Sequence, residues 1–195
     1  MEKREDRRIT KTRELLWTAL AQLLKKKSLN KITVKELVDK AGINRSTFYL
    51  HYSDVAELVQ EIEAELLSEM QEAVKKHPME LSSHTTEDFF EDVFQVLENH
   101  REIGCAFLGE NGDLRFVREI EIFLEDCSRS ILMEMSPDSS GKLKYFYSFC
   151  MHGCLGFVRT WLESGEEMTY QEAAEMAFLM VSNAMDAFCL TAGKE

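Results

Sequence analysis

Proline is nearly absent: Pro78 and Pro137 are the only two in 195 residues, which leaves long stretches free for helices and argues for an all-helical chain. Long apolar runs are missing as well. The longest, Tyr145 to Val158, is about 14 residues and is broken by His152 and Gly153, short of the roughly 20 that span a bilayer, so no membrane partner is expected. No secretory leader is visible, because MEKREDRR is charged throughout and no apolar segment follows it. The five cysteines, an odd number, are therefore expected as reduced thiols in the cytoplasm. Catalytic signatures are missing too: there is no G-x-S-x-G, no glycine loop to cradle phosphate and no HExxH, and the carboxylates fall mostly at capping or exposed helix positions. That excludes an enzyme reading and implies no cofactor. Cys150, His152 and Cys154 lie close together, yet His152 points about 200° round a helix from Cys150 and no fourth ligand is near, so they are expected as structural thiols and no metal site is expected.

What is present begins with charge. The chain is 45% hydrophobic and 30% charged, an ordinary globular composition, and carries a net charge of -12. That total hides a division. Residues 1–52 hold 13 Lys+Arg against 6 Asp+Glu, while the remainder holds 10 against 29. A nucleic-acid footprint is a local basic surface, so only the N-terminal region qualifies for one. Lys3, Arg4, Arg7, Arg8, Lys11 and Arg13 lead into a helix with Ile9, Leu16, Ala19, Leu20, Leu23 and Leu24 on its apolar face.

The densest cluster of signals runs from Thr33 to Tyr52. Thr33 and Glu36 have capping-box spacing, and Ile32 with Leu37 sit where a hydrophobic staple closes. Val34, Leu37, Val38 and Ala41 recur at helical spacing until Gly42 supplies a residue that tolerates positive φ. Asn44 is a good N-cap for a second helix, with Ile43 and Phe48 as its staple. Phe48 and Tyr52 share an inward face, leaving Arg45, Ser46, Thr47, Tyr49 and His51 to face elsewhere. Two short helices about a tight turn form a helix-turn-helix, and a polar set at the start of the second suits a DNA groove.

These residues, T-V-x-x-L-x-x-x-A-G-I-x-x-S-T-F-Y-x-H-Y, resemble the signature of TetR/AcrR-type transcriptional repressors, over about the first quarter of the chain. The resemblance implies an N-terminal three-helix DNA-binding domain whose second short helix enters the major groove of a double-stranded operator. It also implies a C-terminal helical domain that dimerises and binds a small-molecule effector. At matching positions it implies Arg45 and Ser46 as base-edge contacts, Thr47, Tyr49 and His51 as phosphate or groove-edge contacts, and Thr33 as a phosphate donor from a helix N-terminus. One position departs from the pattern: Val55 stands where the family usually opens its next helix with a lysine. That departure keeps open an alternative, a coactivator or adaptor of the same fold working mainly through protein contacts.

Beyond the motif, Asp54 and Glu57 have capping-box spacing, and Leu58, Ile62, Leu66, Met70 and Val74 follow at helical intervals until His77 and Pro78. The division expected is a DNA-binding domain over 1–53 and a regulatory and dimerisation domain over 54–195. Further helical faces hold Phe89, Phe90, Val93, Phe94 and Leu97, then a short piece from Ile103 to Leu108, then Phe116, Ile120, Phe123 and Leu124. Lys142 to Leu162 is apolar on nearly every side, so it either forms the centre of its domain or is shared with a second subunit. Gly165 closes it, and Thr169 with Glu172 caps a last amphipathic helix. Gly153, Gly156, Trp161, Met180, Ala184 and Phe188 are the candidate homodimer contacts, in an isologous four-helix arrangement. Eleven of 12 Phe and nine of 10 Met follow residue 52, and Phe107, Phe116, Phe123, Met151 and Phe157 are candidates to line an effector pocket.

Overall fold

The computed structural model describes the backbone of residues 2–77, 83–109, 111–135, 140–165 and 167–192, and side-chain surroundings over most of these. Every regular element among them is helical: α1 Glu2–Leu24, α2 Val34–Ala41, α3 Arg45–Tyr49, α4 Val55–Lys76, α5 Ser83–Asn99, α6 Arg101–Leu108, α7 Leu114–Met135, α8 Ser140–Glu163 and α9 Tyr170–Ala192, with a 3-10 turn over Leu29–Lys31. The all-α class expected from the scarcity of proline is what forms. The chain divides into two compact units, Met1–Leu66 with His100–Val117, and Leu67–Asn99 with Arg118–Glu195; α4 contributes residues to both.

In the first unit α1 packs on α2 and α6 through Leu16, Ala19, Leu20 and Leu24, all nearly inaccessible. Ile9, expected on that face, is 46% exposed, because the packed stretch begins only one to two turns later. The backbone is already helical from Glu2, and the side chains of residues 2–8, which include four of the six basic arm residues, lie outside the described set. Along α4 the inward stripe is Leu58, Val59, Ile62, Leu66, Met70 and Ala73, with Val74 half-buried beside Ala73. Phe107 and Phe116 fill the core between α6 and the start of α7, rings 5.6 Å apart.

In the second unit α5 packs on α9, and α8 on α9. Phe94 anchors this core, with its ring centroid 5.1 Å from Trp161 and 6.0 Å from Phe157. Phe90 meets Phe178, and Phe146 meets Phe188. The Trp161 indole N–H donates to the Met168 carbonyl at 3.0 Å, tying α8 to the turn before α9. Within its unit α8 is buried on one side only: Phe146, Met151, Trp161 and Leu162 are buried, whereas Tyr145 is 68% and Phe149 71% exposed. By length and composition alone, Tyr170–Leu190 within α9 is apolar enough to cross a bilayer, although Glu172, Glu175 and Asp186 interrupt its apolar run. Core helices pass the same test, and Ala173, Ala174, Ala177 and Phe178 on α9 are buried within the unit.

Helix starts follow the sequence closely. Thr33 and Glu36 form a complete capping box on α2, and Thr169 with Glu172 makes the same bonds before α9. At α4 the box is split: Asp54 accepts from the Glu57 amide, while the Glu57 carboxylate accepts from the amide and hydroxyl of Ser53. The Lys27 ammonium, 2.6 Å from Glu36, and the Thr33 donors hold that carboxyl well below its ordinary 4.5, at about 2. Backbone and hydroxyl donors also lower Glu57 and Glu172.

Two outcomes follow from this packing and capping. Phe94→Ala is expected to destabilise the chain by about 3–5 kcal/mol, read from the urea unfolding midpoint, because Phe157 and Trp161 lose their shared neighbour. Carboxyls with lowered folded-state values contribute stability above their ordinary value and lose it as pH falls through the folded one. The urea midpoint is therefore expected to drop between about pH 4.5 and 2, and to drop less in Glu36→Gln; equal drops in both proteins would refute the part assigned to Glu36.

Candidate nucleic-acid interface

The helix-turn-helix is assembled around Gly42. Its φ of 68° lies in the left-handed region, and the amides of Gly42 and Ile43 both return to the Val38 carbonyl, ending α2 and turning the chain. Asn44 then opens α3 through its backbone, its carbonyl accepting from the Thr47 and Phe48 amides. Its side chain makes no capping bond, contrary to the expectation for an N-cap Asn. The exposed Asn44 amide is left over for other partners.

Burial on one side of α3 dictates what faces out on the other. Phe48 is fully buried and Tyr52, one turn on, is 6% exposed, with ring centroids 5.5 Å apart. The Tyr52 hydroxyl donates to Glu61 on α4 at 2.9 Å; burial first, then that bond, push its ionisation up. Arg13 on α1 reaches Glu65 at 2.7 Å and Glu61 at 3.9 Å, its guanidinium 5.2 Å from the Trp17 ring centroid. The reading helix is thereby fixed to α1 and α4 by a buried aromatic pair and a polar chain.

With Phe48 and Tyr52 turned inward, Arg45, Ser46, Tyr49 and His51 are exposed and Thr47 is half-buried. Tyr49 is 57% exposed, its ring set edge-on to Phe48 at 5.6 Å, so the phenol is steadied while its hydroxyl faces out. Among the described residues Arg45 takes part in no ion pair. The structure thus gathers five of the six expected DNA contacts on one short helix and the turn after it. Thr33 is different. Its amide and hydroxyl both donate to Glu36 Oε2, at 3.1 and 2.8 Å, and Lys27 balances that carboxylate, so neither donor is available to phosphate while the box is closed. Leu50 was not singled out by periodicity, yet it is 80% exposed directly after Tyr49. Only the position of the inward face could have revealed it. Val55 is 9% exposed and opens α4, so the place where the resemblance implies a lysine presents no cation.

The other expected sites are placed as follows. Phe107 and Phe116 belong to the first unit, whereas Phe123, Met151 and Phe157 belong to the second. Gly153, Gly156 and Met180 are exposed, Ala184 and Phe188 half-buried. Trp161 is a correction: at 3% exposure, packed on Phe94 and with its N–H spent on Met168, it is a core residue with no face left for a second subunit. Burial pushes the Cys150 thiol up to about 11 and raises Cys154, which disfavours the thiolate needed for metal or redox chemistry. No group of three or more His, Cys, Asp or Glu that could hold a metal ion occurs among the described residues.

Comparison with known proteins agrees with this geometry. Residues 16–62 match the family described as "Bacterial regulatory proteins, tetR family", and residues 84–183, more than half the chain, match "Transcriptional regulator C-terminal region" of the same group. YxbF of Bacillus subtilis (strain 168), an uncharacterized HTH-type transcriptional regulator, is 42% identical over 60 residues, covering 30% of this chain and 16% of that protein. YvdT of the same organism, likewise uncharacterized, is 28% identical over 97 residues, covering 46% of this chain and 47% of that protein. The chain thus aligns with less than half the length of either relative. A TetR transcriptional regulator from Streptococcus agalactiae 2603V shares the fold with a TM-score of 0.55 at 22% identity, over 93% of this chain and 99% of that one. The helix-turn-helix built on Phe48 and the two family matches together establish that the chain belongs to the TetR family of bacterial transcriptional regulators, DNA-binding proteins rather than enzymes.

Proposed function

We propose that this regulator is a homodimeric, cytoplasmic repressor that covers an operator and is released from it by a small-molecule effector. The observation that carries the reading is the exposed polar set on α3, raised on buried Phe48 and lying in the one net-basic region of an acidic chain. Residues 1–53 act as the reader and 54–195 as the part that dimerises and responds. Arg45 and Ser46 read base edges, and Thr47, Tyr49 and His51 hold the backbone or the groove edge. The exposed Asn44 amide suits adenine and the exposed Leu50 side chain suits a thymine methyl, which adds two reading positions to the set. Two readers in a dimer engage half-sites about 34–36 Å apart, or a near multiple.

The effector must bind the DNA-incompetent conformation more tightly than the competent one, since equal affinity shifts nothing. Phe107, Phe116, Phe123, Met151 and Phe157 remain its candidate contacts, the first two in one unit and the other three in the second, and α4 and α7 each have residues in both units and so offer covalent routes for the change. The adaptor reading draws on one observation, the buried Val55 where a phosphate-contacting cation is implied.

A gel-shift titration over a salt series, using the DNA upstream of the chain's own gene, separates the two. A linear fall of log affinity with log salt, together with sequence preference, is the expected result, whereas no preference at any salt would favour the adaptor. Arg45→Ala is expected to weaken specific binding by about 1–3 kcal/mol and to relax preference at one base position; equal losses on specific and non-specific DNA would reassign Arg45 to phosphate. Tyr49→Phe is expected to weaken binding to all sequences alike, and unchanged affinity at physiological salt would remove Tyr49 from the contact set.

A further inference from the structure

In the first unit a single guanidinium stands between two carboxylates. Arg13 on α1 bonds Glu65 through Nη2 at 2.7 Å, and its Nη1 lies 3.9 Å from Oε1 of Glu61, one turn earlier on α4. The second distance is too long for a hydrogen bond. That same Glu61 oxygen accepts from the Tyr52 hydroxyl at 2.9 Å. Two donors thus face one oxygen, and Tyr52 has it. Burial first, then this bond, push the Tyr52 ionisation up, which keeps the hydroxyl a donor.

Glu65 and Trp17 hold Arg13 away from Glu61. The guanidinium lies 5.2 Å from the Trp17 ring centroid, and that ring packs on His100 with centroids 5.6 Å apart; a cation over an indole is attracted to its face. The balance is nonetheless shallow, because the side chains of Arg13, Glu61 and Glu65 are 37%, 41% and 28% exposed and partly solvated ion pairs are individually weak. A second arrangement is one turn away. Arg13 on Glu61, in the two-pronged pairing that guanidinium and carboxylate favour, occupies both Glu61 oxygens. Tyr52 then loses its acceptor, and Tyr52 is the ring that packs on Phe48 beneath the outward face of α3. Exchanges of one helical turn are a recognised way for packed elements to hold two discrete states.

We propose that Arg13 and Glu65 are positioning residues for the DNA reader: with Arg13 on Glu65 the Glu61–Tyr52 bond fixes α3, and with Arg13 on Glu61 that bond is lost and α3 loosens. Neither residue is among the expected DNA contacts. The inference rests on α3 as the helix that meets DNA, and adds to it the α1–α4 contact that decides how firmly α3 is presented.

The test uses four full-length variants: Glu65→Gln, Tyr52→Phe, those two changes together, and Glu65→Gln with Glu61→Gln. Amide hydrogen exchange of the free protein, followed by mass spectrometry, reports on α3 without any DNA. Glu65→Gln is expected to speed exchange over residues 47–52 by at least about threefold, with exchange in α9 unchanged. Tyr52→Phe is expected to do the same, and the two changes together no more than either alone, because both remove one bond. Glu61→Gln takes away the alternative partner of Arg13 while keeping an amide oxygen for Tyr52, so adding it to Glu65→Gln is expected to slow exchange again. Affinity for a duplex that the unaltered chain selects in vitro from random sequence is expected to follow the same order, falling at least about threefold in Glu65→Gln. Removing an acidic side chain by itself favours binding to a polyanion, so this fall runs against the simple charge effect. Unchanged exchange in Glu65→Gln, additive effects of Glu65→Gln and Tyr52→Phe, or no slowing on adding Glu61→Gln overturns the positioning role. Exchange in the expected order with affinity that stays constant overturns instead the reading of α3 as the helix that meets DNA.

Discussion

Everything the reading helix can do depends on the burial of Phe48. An isolated helix of five residues does not persist in water, since nucleation is too costly for so few hydrogen bonds. α3 exists because Phe48 is inserted without remainder into the first unit, Tyr52 follows it one turn on, and the Tyr52 hydroxyl is held by Glu61 while Arg13 holds Glu61 and Glu65. The inward residues carry the structural role almost alone. The outward residues are thereby freed for recognition, and Arg45, Ser46, Tyr49 and His51 stand exposed in fixed positions.

The same economy separates structural charges from available ones. Counting lysines and arginines in the first 52 residues identifies a basic region but treats its members alike. In the folded chain Arg13 bridges two glutamates and Lys27 neutralises the carboxylate that caps α2, so both are spent on architecture. Thr33 is spent with them. With these groups saturated inside the chain, Arg45 on the outward helix stands exposed and in no ion pair among the described residues.

Helix existence, helix starts and the inward faces of α1, α2 and α4 could be read directly, because capping and periodicity are local: Thr33 and Glu36, Gly42, and Leu58 with Ile62 and Leu66 did what their spacing implied. Misjudgements came where a local rule had a competitor. Asn44 stands at an N-cap position, yet only its backbone is used. Ser53 takes the leg of the α4 box that Asp54 was expected to take, because the Glu57 carboxylate finds two donors there. Trp161 has the composition of an interface residue, but Phe94 and the Met168 carbonyl claim it first.

What the sequence by itself determined was the all-helical class, the reader and its turn, and the family, because each rests on residues within a few turns of one another. What only the tertiary structure decided was which side of each apolar helix is spent internally. α8 looks apolar on nearly every side along the chain and α9 amphipathic, and hydrophobicity alone cannot say how much of either is covered within the chain. Only after Phe146, Trp161 and Phe178 have been buried do Tyr145, Phe149 and Met180 become a surface. Burial is a property of the whole arrangement of neighbours, and no stretch of sequence contains its own neighbours.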